Sequence, residues 1–361
     1  MRYAALVSGG VDSAVALHQV ARQAPGQVRA YYLKIWLEEE LSFLGSCPWE
    51  EDLHHARAVC ASAGVPLEVV PLQEEYYQRV VSYTLDELRA GRTPSPDIFC
   101  NQRIKFGAFF DALRGEADRI VTGHYARVSR DEGGGPARLA MAPDPVKDQT
   151  YFLSHLSQEQ LSRAEFPLGT LTKAQVRERA AELNLSNRDR PDSQGICFLG
   201  KIRYSDFVRH YLGEQEGPIV EHETGRELGR HRGAWFFTVG QRQGLGLGNG
   251  PWYVTDRNIE TNLVRVSHAE RVLHQTRETF EVGAVHALAD PPRGWVGSGS
   301  LQLKLRHGPD LIPCRLEPSA RGFRVTMDRA DRGVAPGQFA VFYDPPECLG
   351  SAMILPREDL P

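Results

Sequence analysis

Short apolar runs alternate with amphipathic stretches through the first two hundred residues. YAALV (3–7), VRAYYL (28–33), LEVVPL (67–72) and DRIVTG (118–123) have the length and side chains of buried strands. Between them the period is helical, from Asp12 to about Gln23, over Asp52–Ala63, and over about Glu74–Ala90. Strands alternating with helices predict a doubly wound α/β domain, its parallel sheet covered on both faces. TKAQVRERAAELNL (172–185) predicts a further helix with Thr172 as N-cap. DEGGGPAR (131–138) reads as a flexible, hairpin-like excursion. After about residue 200 the texture changes to glycines and short alternating segments, such as LVRVS, LQLKLRHG, FRVTM and QFAVFY. The expected organisation is a catalytic-type α/β domain over 1–200, a small central domain over 201–275 and an antiparallel β-barrel over 276–361. GQRQGLGLGNG (240–250) lacks the strand–helix setting of a dinucleotide fingerprint and reads as turns.

Composition adds few constraints. Hydrophobic content of 41% and charged content of 24% are those of an ordinary soluble protein. The N-terminus has no signal-peptide pattern, and no stretch approaches the roughly 18–20 apolar residues of a membrane span. A cytoplasmic protein with no membrane partner is expected. The net charge is −4, but it is unevenly placed. Residues 36–87 carry eleven Asp/Glu against Arg57 and Arg79, whereas residues 291–329 carry seven Lys/Arg against Asp310, Glu317 and Asp328. A basic C-terminal region permits local RNA binding on an acidic protein.

SGGVDS (8–13) follows a strand and opens a helix. Small residues at Ser8, Gly9 and Gly10 let backbone N–H groups converge on an anion, and the helix N-terminus adds a favourable dipole. The hydroxyls of Ser8 and Ser13 can donate further hydrogen bonds. The lysine of a Walker A loop is missing. The loop instead resembles the pyrophosphate-binding loop of the ATP pyrophosphatases, which cleave ATP between the α- and β-phosphates and attach AMP to an oxygen. An oxygen so activated leaves as AMP when a nucleophile attacks its carbon.

Two of the six cysteines are candidates for that nucleophile. Cys100 sits in RTPSPDIFCNQRIKFG (92–107), where Pro94 and Pro96 argue for a loop, with Asp97 three residues before the thiol. Arg103 and Lys105 follow, and nearby positive charge favours thiolate. Cys197 sits in RPDSQGICFLGK (190–201), another expected loop. Two such thiols suit sulfur transfer through a persulfide and thiol exchange, although ordinary buried cysteines fit the same residues. Cys47, Cys60, Cys314 and Cys348 read as structural. Cys47, His54, His55 and Cys60 match no standard zinc spacing, so no protein metal site is expected.

SGGVDS, GRTPSPDIFCNQRIKFG, TGHYAR, KDQTYFL, DSQGICFLG and APGQFAVFYD…CLG occur in the order found in the tRNA-specific 2-thiouridylases. The resemblance runs from residue 6 to about 350. It implies a PP-loop ATP pyrophosphatase domain, ATP with accompanying Mg²⁺, a tRNA anticodon stem-loop as partner, and a persulfide-bearing sulfur donor. It implies that Leu6, Val7, Ser8, Gly9, Gly10, Val11, Asp12 and Ser13 bind ATP, with Leu33 and Gly123 lining the nucleotide. Ser95, Pro96 and Asp97 are implied to meet the target base, with Cys100 as nucleophile and Cys197 as persulfide carrier. His124, Lys147, Asp148 and Gln149 are implied around the flipped uridine, and Arg306, His307 and Gln338 further out on the RNA. Asp97 is in addition the candidate proton carrier. Family members usually have Gly-Met at Leu6-Val7, Met at Leu33, Asn at Ser95 and Tyr at His307. Other readings of the loop are an amidating ligase, which needs an ammonia source, and a lysidine-forming enzyme, which needs no cysteine pair. A non-catalytic RNA-binding protein would release no pyrophosphate.

Overall fold

The computed structural model describes residues 1–35, 49–131, 133–192, 203–272, 276–290, 294–295 and 300–357. In the first part of the chain, β1 (Tyr3–Leu6), β2 (Val28–Lys34), β3 (Leu67–Pro71), β4 (Arg119–Val121), β5 (Ala126–Ser129), β6 (Arg138–Met141) and β7 (Ala164–Glu165) form. Five of these make one sheet in the order β3–β2–β1–β4–β7, with every pairing parallel. Successive side chains of a strand point to opposite faces. Ala4, Tyr31 and Ile120 accordingly enter one core, while Ala5, Ala30, Tyr32 and Val121 enter another. The second core is closed by the helices Val11–Gln23, Trp49–Ala63 and Lys173–Glu182. Thr172 caps the last of these in a capping box with Gln175, as its sequence predicts.

The central region forms β8 (Gly217–Glu221), β9 (Glu227–His231), β10 (Trp252–Asn258) and β11 (Leu263–His268), ordered β10–β11–β8–β9. Its sequence predicts antiparallel pairing; β8 and β11 run parallel, and the other two pairings are antiparallel. Residues 240–250 make turns, as expected. Arg257 of β10 is partly buried and donates to the Phe237 carbonyl and, at 3.2 Å, to the Thr93 hydroxyl. Burial lowers its pKa to about 10.

The C-terminal strands are β12 (Arg277–Val282), β13 (His286–Ala287), β14 (Gln302–Lys304), β15 (Ile312–Ser319), β16 (Gly322–Asp331), β17 (Phe339–Asp344) and β18 (Glu347–Met353). They run β12–β16–β15–β14–β17–β18, and a bridge from Val282 to Ile354 brings the two ends together around one apolar core. A further pairing has no signal in the local sequence. The β5–β6 hairpin, formed around the 131–138 excursion, adds to β18 through Cys348–Leu139 and Glu347–Ala140. The barrel sheet therefore contains strands from the first part of the chain. Phe339, Val341, Tyr343 and Cys348 also pack into the first core beside Phe99 and Leu139. No helix among the described residues is long and apolar enough to cross a membrane.

Candidate active site

The Ser8–Ser13 loop leaves the carboxyl end of β1, where open α/β sheets bind ligands. The helix behind it begins its ladder with the Ala14 N–H on the Gly10 carbonyl. The N–H groups of Gly10 to Ser13 thus have no helical acceptor. Gly9 has a φ of +78°, and a Cβ there would lie 2.4 Å from the Asp52 carbonyl oxygen. Its own carbonyl accepts from Asn187 Nδ2 at 2.9 Å and Arg190 Nη1 at 3.3 Å. In a trans peptide the next N–H points the other way, so the Gly10 N–H points away from Asn187 and Arg190. Gly123 packs equally tightly, since a Cβ there would lie 2.8 Å from the Ser13 nitrogen. These features fit a phosphate cradle.

Ser13 serves the loop's own shape. Its Oγ donates to the Gly10 carbonyl at 3.0 Å and accepts from the Ser8 N–H at 3.2 Å. Ser8, which is exposed, keeps the more accessible hydroxyl. Val7 and Val11 are buried, so their contribution to a nucleotide is through the backbone.

Charged groups with no signature in the local sequence surround the loop. Asp12 Oδ1 accepts from Tyr125 Oη at 2.7 Å and from Lys173 Nζ at 2.6 Å. Asp192 receives Lys173 at 2.7 Å, Arg177 at 2.7 Å and Lys147 at 2.5 Å. Burial raises the Asp192 pKa, but the Lys147 and Lys173 ammoniums outweigh it and hold the carboxyl at about 2. Arg190 pairs with Asp52. One oddity does mark Lys173: it is the first residue of a helix, where a cation opposes the helix dipole.

Cys100 is a correction to the expected loop. Pro96–Phe99 is helical and continues as a wide π-helical segment, Cys100–Ala108. Pro96 occupies the first turn, where a missing N–H costs nothing, so the proline starts the helix instead of breaking it. Asp97 and Cys100, three apart, share a helix face, with Asp97 partly exposed and Cys100 buried. Arg103 is taken up by the Phe99 ring, 3.8 Å from its centroid, and by the Arg79 carbonyl at 2.8 Å. Cys197 lies outside the described residues, as does Cys47.

The residues expected near RNA fall into different settings. Asn101 Nδ2 donates to the Phe152 carbonyl at 3.2 Å, and Phe152 stacks on His307 with centroids 4.9 Å apart. The Cys100 helix, the 147–153 segment and the end of β14 therefore meet. The Thr93 N–H donates to the Pro336 carbonyl at 2.7 Å, which brings the Gln338 turn against the segment leading to Ser95 and Pro96. Arg306 is exposed and bidentate on Asp331, at 2.8 and 3.0 Å. His124 is buried, with Nδ1 2.7 Å from the Thr122 hydroxyl, and burial followed by the Lys105 charge keeps it neutral. The Asp148 side chain is the most enclosed of the base-side residues. It is fully enclosed, paired with the equally enclosed Lys304 at 2.9 Å and bonded to the Thr150 hydroxyl at 2.8 Å. In this conformation it supports the turn and offers no surface to a nucleotide. Gln149, partly exposed, ties the turn to the Tyr125 backbone at 2.9 and 3.0 Å.

Three family models match in succession: a tRNA methyl transferase HUP domain over residues 1–201, a tRNA methyl transferase PRC-barrel domain over 205–268, and an aminomethyltransferase beta-barrel domain over 277–354. A tRNA-specific 2-thiouridylase of Bacteroides fragilis is 43% identical over 98% of this chain and 100% of its own length. One from Porphyromonas gingivalis is 42% identical over 98% and 99%. The chain belongs to the tRNA-specific 2-thiouridylase family. Its fold is the family's, a HUP domain with a parallel sheet, a PRC-barrel domain and a β-barrel domain. The solved U34-tRNA thiolase of Methanococcus maripaludis is a far more distant likeness, 15% identical over 54% of this chain and 60% of that one, with a TM-score of 0.35. Family membership sets aside the amidating, lysidine-forming and non-catalytic readings of the loop.

Proposed function

We propose that this protein catalyses ATP-dependent 2-thiolation of the wobble uridine of tRNA. The observation that carries the proposal is the Ser8–Ser13 loop at the carboxyl end of β1, in a chain that matches the 2-thiouridylases along almost its whole length. ATP would be held with its phosphates on the N–H groups of Gly10 to Ser13, and Mg²⁺ bound with it would offset the phosphate charge. The anticodon loop is single stranded, so its base turns into the site without breaking a duplex. Uridine O2 attacks the α-phosphate, the bond to the β-phosphate breaks, and pyrophosphate leaves. Cys197 carries a persulfide from a donor protein. Cys100 attacks the inner sulfur, forming a Cys100–Cys197 disulfide and releasing the outer sulfur as hydrosulfide. That sulfur adds to C2 and expels AMP, and a thiol reductant resets the pair. Asp97, on the Cys100 face of its helix, takes the proton that the Cys100 thiol loses as it attacks.

The two thiols give the test. Cys100→Ser and Cys197→Ser both release pyrophosphate with tRNA, and neither makes thiouridine from a persulfide donor. Peptide mass spectrometry finds the persulfide on Cys197 in Cys100→Ser. Persulfide on Cys100 alone would reverse the assignment, and none on either cysteine would end the mechanism.

A further inference from the structure

A phosphate loop with no lysine of its own leaves a charge question, and residues more than a hundred positions away address it. The Asp144 carboxylate accepts the Val146 and Lys147 N–H groups on one oxygen, at 3.1 and 3.2 Å, and the Lys173 N–H on the other at 3.0 Å. It thereby fixes the 144–148 turn against the start of the helix 173–182. Lys147 and Lys173 then converge on Asp192, and Lys173 reaches Asp12 inside the loop. Arg177 joins them on Asp192, so three cations are balanced by the Asp12, Asp144 and Asp192 carboxylates beside the amino end of the helix that leaves the loop. Lys173 is placed where the dipole of its own helix opposes it, a cost that ordinary helix design avoids. The carboxylates it holds are about a third exposed, at 32% for Asp12 and 28% for Asp192, so an incoming anion can reach and replace them.

We propose that Lys173 is the polyphosphate-binding cation of the nucleotide site, held at the loop by Asp12 and Asp192 until a nucleoside triphosphate takes it. The proposal rests on the reading of Ser8–Ser13 as the ATP loop. On binding, the ammonium leaves Asp12 for the β- or γ-phosphate. When the α–β bond breaks, the departing pyrophosphate gains the bonding electron pair, and Lys173 balances that added charge. Lys147 and Arg177 keep Asp192 paired while Lys173 moves.

The test measures binding by titration calorimetry on the full chain, with the non-cleavable α,β-methylene analogue of ATP and with AMP. Lys173→Met raises the Kd for the triphosphate analogue at least ~10-fold, leaves AMP within ~2-fold, and Lys173→Arg recovers part of the loss. Equal weakening of both ligands, or an unchanged triphosphate Kd, overturns the proposal. If Lys173→Met does not fold, Lys173→Arg and Lys173→Gln decide: the proposal requires Arg to bind the triphosphate more tightly than Gln. Gly9→Val separates the two readings, because its side chain meets the Asp52 carbonyl and deforms the loop. Triphosphate binding lost in Gly9→Val but intact in Lys173→Met leaves the loop reading standing and removes Lys173. Binding unaffected by Gly9→Val removes the loop reading itself.

Discussion

Lys147 and Asp148 are neighbours in sequence, yet each is half of a very different ion pair. Asp148 meets Lys304 with neither side chain exposed, across the junction between the catalytic domain and the barrel. Lys147 meets Asp192 with each about a third exposed, in a cluster where partners are shared. Arg306 and Asp331, on the barrel surface, form a third pair whose cation is 57% exposed. All three join a cationic side chain to an aspartate, and solvent access separates what each can do. A dehydrated pair cannot change partners without leaving a bare charge in the interior, so it holds one arrangement. A partly wet pair can trade a carboxylate for a phosphate at little cost. Adjacent residues thus carry a solvent-accessible contact, Lys147, and a fixed anchor, Asp148.

Lys304→Met tests the fixed anchor and has the largest expected effect. It leaves Asp148 buried and unpaired, which costs about 3–5 kcal/mol and lowers the urea midpoint accordingly. Adding Asp148→Asn returns most of that loss. A single variant that loses less than ~1 kcal/mol would show that water or another group already shares the charge.

Arg306→Ala tests the pair with the most exposed cation. Stability falls by about 1–2 kcal/mol, because Asp331 is only 14% exposed and loses its bidentate partner. Binding to tRNA weakens, and the slope of log affinity against log salt falls by about 0.7–0.9, one phosphate contact. An unchanged slope would mean that Asp331 keeps the guanidinium for itself.

Asp192→Asn loses about 1–2 kcal/mol at neutral pH, the depressed pKa being discounted for the partial exposure of the carboxylate. Its signature appears in acid. The Asp192 pKa is depressed to about 2 from an ordinary 3.8, so its stabilisation is complete above that ordinary value and is lost as pH falls through about 2. The variant should therefore show a flatter decline in stability between about pH 4 and 2 than the unaltered protein. Matching acid limbs would remove Asp192 from the network.

Legibility in the sequence falls with distance along the chain. The strands and helices of the first domain declare themselves through local period, and SGGVDS through six consecutive residues. The cluster of Asp12, Asp144, Lys173 and Asp192 spans 180 positions, and only the finished sheet brings it together. Pro94 and Pro96 read as breakers and predict a loop at Cys100, although a proline in a first helical turn is favourable. Asp148 sits in a segment whose polar run looks like surface, and its burial depends on Lys304, 156 residues away. Arg257 has no sequence signal for the same reason, since Thr93 and Phe237 reach it only in three dimensions.

The β5–β6 hairpin has a consequence for how the chain is made. Its sheet partner, β18, ends at Met353, so on the ribosome the hairpin is synthesised some two hundred residues before the strand that completes it. Until then β6 presents an unpaired edge, the kind of edge that recruits foreign strands. The C-terminal barrel has the converse problem: cut from the chain, it would expose the edge of β18 that the hairpin covers. Neither end of this protein is a self-sufficient cassette, and the two halves are expected to be inherited, expressed and degraded as one unit.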